Sequence, residues 1–227
     1  MENLIFCSCS FHISHYSHEI RENEYYFCFQ QLLRMIPDNF DIAICDNTIN
    51  SINDLSNQNL RNILSNKKIK LFILNKNIGK GNIGMGELDE LIYVSSNINF
   101  LKYNKVVYWT SRKIITNPWL FEKVNNMKKN ALISNPKFLH INREFNFKYS
   151  EATPNLFNDM FFCLKSNLMN DYVNYSKEKM QFNLQNNIGS EQNIYNFINE
   201  RNIDCEWLNC LGLIRINYLD NNEIELI

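Results

Sequence analysis

The sequence predicts an α/β fold in which a mainly parallel sheet is flanked by helices and followed by an irregular C-terminal half. Two observations support this prediction. In the first half of the chain, short apolar runs alternate with segments whose apolar residues recur at helical spacing. The whole chain of 227 residues has only 6 Gly and 4 Pro, too few for the many tight turns of a β-sandwich.

Four short apolar runs are predicted to form the centre of the sheet: residues 4–9, 40–45, 69–74 and 105–110. Between them, helical periodicity predicts helices over residues 23–35, 54–65 and 86–96. Pro37 lies just beyond the first of these helices, where it would stop the helix. Strands that alternate with helices in this way are typical of βαβ units, and therefore of parallel pairing.

The alternation becomes less regular after about residue 115. Helices are predicted over residues 118–127, 167–175 and 191–200, and strands over residues 131–134 and 144–149. The apolar stretch 205–218 is predicted to be rich in strands. Because no linker separates the two parts, residues 1–115 and 116–227 are interpreted as two halves of one continuous domain.

The charge and cysteine content exclude several classes of protein. Lys and Arg number 23 against 24 Asp and Glu, so there is no basic excess for a nucleic-acid partner. The seven cysteines, several of them inside apolar runs, predict buried free thiols in a reducing compartment. No apolar run approaches the length of a transmembrane helix and no signal peptide is recognisable. A cytoplasmic protein is therefore expected, with peripheral membrane contact left open.

Polar segments follow each of the four predicted strands, where open parallel sheets bind their ligands. They supply the candidate nucleotide-binding residues, which are Ser10 after the first strand, Asp46 and Asn47 after the second, Asn77, Gly79, Lys80 and Gly81 after the third, and Arg112 and Lys113 after the fourth. The third segment lies within residues 77–86, which hold four of the six glycines, so its backbone N–H groups could face an anion. It lacks the Gly-Lys-Ser/Thr ending of a Walker loop.

Each of these candidates also has a purely structural interpretation. Asp46 fits a turn or a helix cap as well as it fits a ribose or base contact. The glycine-rich segment fits a plain turn, and Arg112 with Lys113 fits a solvated basic pair. The functional alternative for Arg112 is a guanidinium that binds phosphate oxygens bidentately.

Two carboxylates are candidate catalytic groups. Glu191 follows Gly-Ser at a predicted helix start, where it would be either a cap or the general base for an attacking hydroxyl. Asp159 precedes a Met-Phe-Phe run, which suggests a partly buried edge. Glu191 is therefore the preferred base, with Asp159 as the second choice.

Three histidines, His12, His15 and His18, form a His-x-x-His-x-x-His pattern. Zinc would need a fourth ligand, and no cysteine spacing near them supplies one. The pattern favours a loop that lines an acceptor groove over a metal site.

The order of these segments resembles that of the GT-A-fold glycosyltransferases, over roughly residues 3–200. The resemblance implies a nucleotide-sugar donor and a glycan or other hydroxyl acceptor, with a hexosyl or deoxyhexosyl group transferred. Asp46 is similar to the acidic residue by which that family contacts the nucleoside. Asn77, Gly79 and Gly81 are similar to its Asn-x-Gly-x-Gly stretch near the nucleotide, and Glu191 to its acceptor-side carboxylate.

One departure from the family concerns the metal. The family's fourth strand usually ends in Asp-x-Asp, which holds a divalent ion on the diphosphate, whereas residues 109–113 here read Trp-Thr-Ser-Arg-Lys. Positioned cations can also stabilise a departing diphosphate. We therefore expect a metal-independent enzyme without a further cofactor, in which Arg112, Lys113 and Lys80 take the place of the ion.

Two other classes compete with this interpretation. Loss of Asp-x-Asp is also expected of a non-catalytic module that binds a nucleotide or a sugar. A nucleotidyltransferase of similar topology would need a glycine-rich loop after the first strand, but Ser10 and its neighbours include no Gly.

Overall fold

The computed structural model of the protein describes residues 2–78, 82–134, 161–208, 211–217 and 223–226, with residues 215–217 and 223–226 described by their backbone only. In these ranges the strands are β1 (Asn3–Cys9), β2 (Phe40–Asp46), β3 (Ile69–Ile73), β4 (Lys105–Thr110), β5 (Lys113–Ile115), β6 (Ala131–Ser134), β7 (Phe161–Lys165), β8 (Cys205–Leu208), β9 (Leu213–Asn217) and β10 (Glu223–Leu226). The α-helices are α1 (His18–Met35), α2 (Gln58–Leu64), α3 (Ile83–Asn97), α4 (Trp119–Asn126), α5 (Ser166–Gln185) and α6 (Ser190–Glu200).

Seven strands form one sheet in the order β3-β2-β1-β4-β7-β6-β8, and β10-β9-β5 form a small second sheet. Strand β1 pairs in parallel with β2 and with β4, so that Cys7 lies between Ile44 and Trp109. Strand β7 is antiparallel to β4 and β6, and β8 is parallel to β6. The mostly parallel sheet and all four predicted strands are confirmed, but only three of the four are central, since β3 lies at the edge of the sheet. Its seven strands come from both halves of the chain.

Helices cover both faces of the sheet. Helices α1, α2 and α4 pack on the first face with Ile5 and Cys7 of β1, whereas α3, α5 and α6 pack on the second face with Leu4 and Phe6. Alternate residues of a strand point to opposite faces. All seven residues of β1 are buried because both faces are covered, which explains why this strand is largely apolar, with Asn3 and Ser8 as its polar residues.

The starts of α1 and α2 depend on polar caps that apolar periodicity does not detect. Helix α1 begins at His18, five residues before the predicted start, and the Ser17 side chain accepts a hydrogen bond from the N–H of Ile20 at 3.4 Å. Helix α2 begins after Asn57, whose side chain accepts from the N–H of Leu60 at 3.0 Å. The predicted start of α1 was late because its first turn is largely polar. The predicted start of α2 at residue 54 was early, because residues 52–54 form a separate short 3-10 helix.

Strand β7 corrects one interpretation of the sequence. Residues 161–162 were expected at a partly buried edge, but β7 lies between β4 and β6, and Phe161 and Phe162 are only 1% and 2% exposed. The expectation was wrong because the run was judged without its two neighbouring strands. The predicted strand at residues 144–149 lies outside the described residues.

The six cysteines within the described ranges are buried free thiols, as the sequence predicted. Burial raises the pKa of Cys7 and of Cys9 well above the usual thiol value. Among the helices described above, none is both long and apolar enough to cross a membrane.

Helices α5 and α6 are joined by a buried polar network centred on Asn193. Its amide nitrogen donates to the Ser176 hydroxyl at 2.9 Å and to the Tyr172 hydroxyl at 3.2 Å. Its amide oxygen accepts from the Asn183 side chain at 2.8 Å. Since buried polar groups are costly when they lose their partners, this network fixes how the start of α6 lies against α5.

We predict that Asn193→Ala lowers the free energy of unfolding by about 1–3 kcal/mol, because the Asn183 amide then remains buried without its acceptor. Urea denaturation followed by circular dichroism measures the change. Asn199→Ala is the matched control, since Asn199 is exposed on the same helix. Equal stability of the two variants would contradict a structural role for the network.

Candidate functional site

A cleft of about 710 Å³ opens at the carboxyl ends of β1 and β4. The strand order β3-β2-β1-β4 reverses at this point, because β4 returns to the side of β1 that faces away from β2. Open α/β sheets bind ligands at such a reversal. The cleft is lined by Ser8, Cys9, Ser10, His12, Ile13, Ser14, His15, Arg21, Tyr25, Asn47, Asn77, Ile83, Gly86, Glu87, Thr110, Ser111, Arg112 and Lys113.

Arg21, in the first turn of α1, is a cation that the sequence analysis missed. The residue is only 5% exposed, and its Nε donates to the backbone oxygen of Ser10. Its guanidinium carbon lies 5.6 Å from the centre of the Tyr16 ring and 5.7 Å from that of the Tyr25 ring. Its terminal amino groups make no hydrogen bond to any of the described residues, and the side chain lines the cleft. The guanidinium is therefore held in place with donors left for a ligand.

Arg112 lies in the turn between β4 and β5, beside α1. Its terminal nitrogen is 3.5 Å from an oxygen of Glu24, whose side chain is 7% exposed, and the Tyr16 hydroxyl donates to the other oxygen of Glu24 at 2.9 Å. Burial alone would lower the pKa of Arg112, but its interactions with Tyr25 and Glu24 outweigh this effect and raise the pKa. Arg112 therefore brings a permanent positive charge to the cleft.

Lys113 is the third cation that lines the cleft, and it begins β5. Its ammonium group donates to the hydroxyl of Thr110, and its backbone oxygen accepts from the Cys28 thiol of α1 at 3.0 Å. These contacts attach the β4–β5 turn to both β4 and α1. We call Arg21, Arg112 and Lys113 the cationic wall.

The loop between β1 and α1 is held by the buried carboxylate of Asp46. One oxygen accepts from the N–H of Phe11 at 2.6 Å, and the other accepts from the N–H groups of Thr48 and Ile49 at 2.7 Å and 2.9 Å. Burial raises the pKa of Asp46 above the usual value, and these hydrogen bonds offset only part of that effect. Asp46 is fully buried and does not line the cleft, so it shapes the loop from beneath.

Glu22 holds the other side of the same loop. Its carboxylate pairs with the His12 ring at 2.8 Å and accepts from the backbone N–H groups of Ser56 at 3.1 Å and Asn57 at 2.6 Å. Burial would raise the pKa of Glu22, but these hydrogen bonds outweigh it and lower the pKa. The His12 ring also stacks on His18, with ring centres 4.0 Å apart.

The loop between β1 and α1 contains His12 and His15, two members of the histidine triplet. His12 and His15 line the cleft, whereas His18 begins α1 and does not line it. That the loop lines an acceptor groove stays a prediction. Across the described parts of the chain, no group of three or more His, Cys, Asp or Glu side chains lies close enough together to hold a metal ion.

Glu87, on α3, lines the cleft from the second face of the sheet. One of its carboxylate oxygens accepts from the Tyr108 hydroxyl and from the Ser190 hydroxyl, each at 3.2 Å. It is the one acidic side chain among the described residues that line the cleft. The sequence analysis missed it, although it directly follows the glycine-rich segment. We call Glu87 the acidic wall, since it faces the cleft from α3 while the cationic wall belongs to α1 and the β4–β5 turn.

The fold can now be compared with known structures. A crystal structure of a protein from Desulfovibrio desulfuricans G20, provisionally described as a nucleotide-diphospho-sugar transferase, matches over 92% of this chain and 80% of its own, with 11% sequence identity and a TM-score of 0.55. The fold is GT-A-like. The resemblance stated from the sequence is thereby confirmed at the level of the fold.

A more distant match is the mannosyltransferase PcManGT from Pyrobaculum calidifontis, solved in complex with GDP-Man and Mn²⁺. It has 9% identity and a TM-score of 0.49, and the match covers 75% of this chain but only 46% of the mannosyltransferase. No protein-family profile matches the sequence, and no curated protein matches it.

The GT-A-like fold brings five of the predicted nucleotide-binding residues to the cleft: Ser10, Asn47, Asn77, Arg112 and Lys113. Asn77 donates to the side chain of Asn47 at 3.3 Å, and Asn47 donates to the backbone oxygen of Gly86 on α3 at 3.4 Å. These amides connect the end of β2 to the start of α3. That the five residues bind a nucleotide stays a prediction.

Other predicted site residues lie elsewhere. Glu191 is exposed on the first turn of α6 and does not line the cleft, so its role as a base stays a prediction. The proposed nucleoside contact of Asp46 likewise stays a prediction, since its carboxylate accepts from the backbone N–H groups of Phe11 and Thr48 in the loops beneath the cleft. Four predicted residues lie outside the described ranges: Gly79, Lys80, Gly81 and Asp159.

Glu90 is a buried acid of α3, beneath the cleft. One oxygen accepts from the Ser8 hydroxyl at 2.5 Å and from the N–H of Cys9 at 3.3 Å, while the other is buried without a partner among the described residues. Burial, with the nearby Asp46 carboxylate adding to it, raises the pKa of Glu90 well above its usual value of 4.5. Glu90 is therefore harder to ionise than an exposed glutamate.

This burial predicts that stability falls as pH rises. In the unfolded protein Glu90 ionises above pH 4.5, whereas burial in the folded protein keeps its pKa higher. The contribution of this group to the free energy of unfolding is therefore fully present below pH 4.5 and is lost as the pH rises above it. We expect the unfolding free energy of Glu90→Gln to fall less between pH 5 and pH 8 than that of the unmodified protein, by at least about 1 kcal/mol. Urea titrations at the two pH values measure this difference. Parallel pH dependence of the two proteins would contradict it.

Proposed function

We propose that the protein is a glycosyltransferase that moves a hexosyl or deoxyhexosyl group from a nucleoside-diphosphate sugar to a hydroxyl of a glycan or another acceptor. The observation that carries this proposal is the pair of guanidinium groups, Arg21 and Arg112, in the cleft where the strand order reverses. The GT-A-like fold supports it.

The chemistry requires stabilisation of the leaving group. As the bond between the anomeric carbon and the phosphate oxygen breaks, negative charge grows on the nucleoside diphosphate. Guanidinium groups bind phosphate oxygens with two parallel hydrogen bonds and are always charged. Arg21 and Arg112 belong to the cationic wall, where buried tyrosine and glutamate partners hold them before any ligand arrives. Donors fixed in advance stabilise such charge without reorganisation.

We further propose that transfer does not depend on a divalent ion. The segment that ends β4 and begins β5, residues 109–113, contains no carboxylate, and Arg112 and Lys113 stand at its end. A divalent ion on the diphosphate is normally held by carboxylate oxygens. Cations at this position would instead supply the charge that the ion supplies in other transferases.

Release of nucleoside diphosphate from a panel of nucleotide sugars, with a mixture of glycan and simple hydroxyl acceptors, tests the proposal. We expect release with at least one donor, and the same rate within twofold after treatment with EDTA. Loss of activity in EDTA, with recovery in Mn²⁺ or Mg²⁺, would contradict metal independence while supporting transfer.

Substitution of Arg112 tests the role of the cationic wall. We predict that Arg112→Met lowers turnover about 10²–10³-fold, since this is the usual cost of removing one positioned donor from a developing anion. Arg34→Met, at the exposed end of α1, is the matched control and should keep full turnover. Thermal unfolding of both variants shows whether the fold is retained. Full activity of Arg112→Met would exclude Arg112 from the reaction.

A non-catalytic module that binds a nucleotide or a sugar is the second candidate. The lack of Asp-x-Asp at residues 109–113 favours it. The release assay distinguishes the two functions. A non-catalytic module would bind nucleoside diphosphate in calorimetry but would not release nucleoside diphosphate from any nucleotide sugar of the panel.

A further inference from the structure

We infer that Glu87 accepts the proton of the acceptor hydroxyl, in a single displacement that inverts the anomeric carbon. This inference rests on the proposed function, since it assigns a step within the same cleft. It assigns to Glu87 the role that the sequence analysis gave to Glu191 or Asp159.

Positive and negative side chains lie on different sides of the cleft. The cationic wall comes from α1 on the first face of the sheet and from the β4–β5 turn, which is attached to α1 through Cys28. Glu87 comes from α3, which packs on the second face. A diphosphate held by Arg21 and Arg112 would therefore leave towards one wall while an attacking hydroxyl approaches from the other. Direct displacement at carbon needs this opposite placement of attacking and leaving groups.

Glu87 of α3 is held in place by hydrogen bonds from two other elements. Tyr108 of β4 and Ser190 at the start of α6 both donate to the same carboxylate oxygen at 3.2 Å. Helices α3 and α6 approach closely at Gly84, where an added Cβ would lie 2.4 Å from the backbone nitrogen of Ser190. The buried network around Asn193 fixes α6 in turn. A base must be positioned within hydrogen-bond reach of its proton, and these contacts provide such positioning.

Among the described residues that line the cleft, no other side chain is an equivalent candidate for the base. Glu87 is the acidic side chain there. The His12 ring already pairs with Glu22 at 2.8 Å and stacks on His18. Glu191 is exposed on α6 and lies outside the cleft lining.

The proposed step balances as follows. The acceptor oxygen forms a bond to the anomeric carbon, and the bond from that carbon to the phosphate oxygen breaks. The electron pair of the broken bond leaves with the nucleoside diphosphate, whose charge the cationic wall stabilises. The hydroxyl proton passes to the carboxylate of Glu87, which later returns it to water.

Glu87→Gln tests the assignment, because the amide keeps the size of the side chain and can still accept from Tyr108 and Ser190. With the donor that the panel identifies, we expect kcat to fall at least about 10²-fold, the usual contribution of general base catalysis. KM for the donor and the calorimetric Kd for nucleoside diphosphate should change by less than about threefold, since a base that acts only in the transition state contributes little to donor binding. Glu178→Gln, exposed on α5, is the matched control and should keep normal kcat.

A second variant and a second measurement test the inference even if Glu87→Gln does not fold. Glu87→Asp keeps the carboxylate but withdraws it by one methylene, so we expect a smaller loss of kcat than in Glu87→Gln. Proton NMR of the product made by the unmodified protein should show the anomeric configuration opposite to that of the donor.

The outcomes separate this inference from the proposed function. If the unmodified protein releases no nucleoside diphosphate, both fall. If it is active but Glu87→Gln keeps normal kcat while Glu191→Gln or Asp159→Asn loses it, Glu87 is not the base and the proposed function stands. A product with retained configuration, or a sugar covalently trapped on Glu87, would likewise overturn only the inference.

Discussion

The cleft depends on one topological constraint, the reversal of strand order at β1. The chain forms β2 and β3 on one side of β1 and then returns through α3 to form β4 on the other side. Because α1 and α3 cover opposite faces of the sheet, their N-terminal regions stand apart at its carboxyl edge. The space between them cannot be filled by either helix, so a crevice remains there. The described residues that line the cleft are positioned around this crevice.

Buried carboxylates give the crevice its shape. Asp46 and Glu22 bind backbone N–H groups of the loops that surround it, and a charge taken out of water is tolerated only when such partners replace the solvent. Glu90 has one oxygen without a partner among the described residues, and burial raises the pKa of its carboxyl group. The protein thus uses acids beneath the cleft for structure and leaves Glu87 as the carboxylate that faces the open space.

The charge within the cleft differs from that of the whole chain. The chain has a net charge of −1, but the described residues that line the cleft include three Lys and Arg side chains and one carboxylate. A concave, partly buried site strengthens the electrostatic potential of such an excess of positive charge. This potential favours the binding of a multiply charged anion such as a diphosphate. Segregation of the cations on one wall and the carboxylate on the other also gives the site a direction, which the proposed displacement uses.

The sequence by itself determined the fold class and the strand ends that contribute to the site. Residues 4–9 and 105–110 are largely apolar because their strands are buried on both faces, and this pattern is local enough to be recognised in the chain. Arg112 and Asn47 could be selected because they directly follow such strands.

Only the tertiary structure decided how each polar side chain is used. Asp46 follows its strand in the same way as Arg112, yet it points beneath the loop and is saturated by backbone N–H groups. Arg21 and Glu87 lie on helices whose sequence shows no special pattern, and they reach the cleft because α1 and α3 cover opposite faces of the sheet. Spacing along the chain determines which residues share an element, whereas contacts between distant elements determine which of those residues meet a ligand.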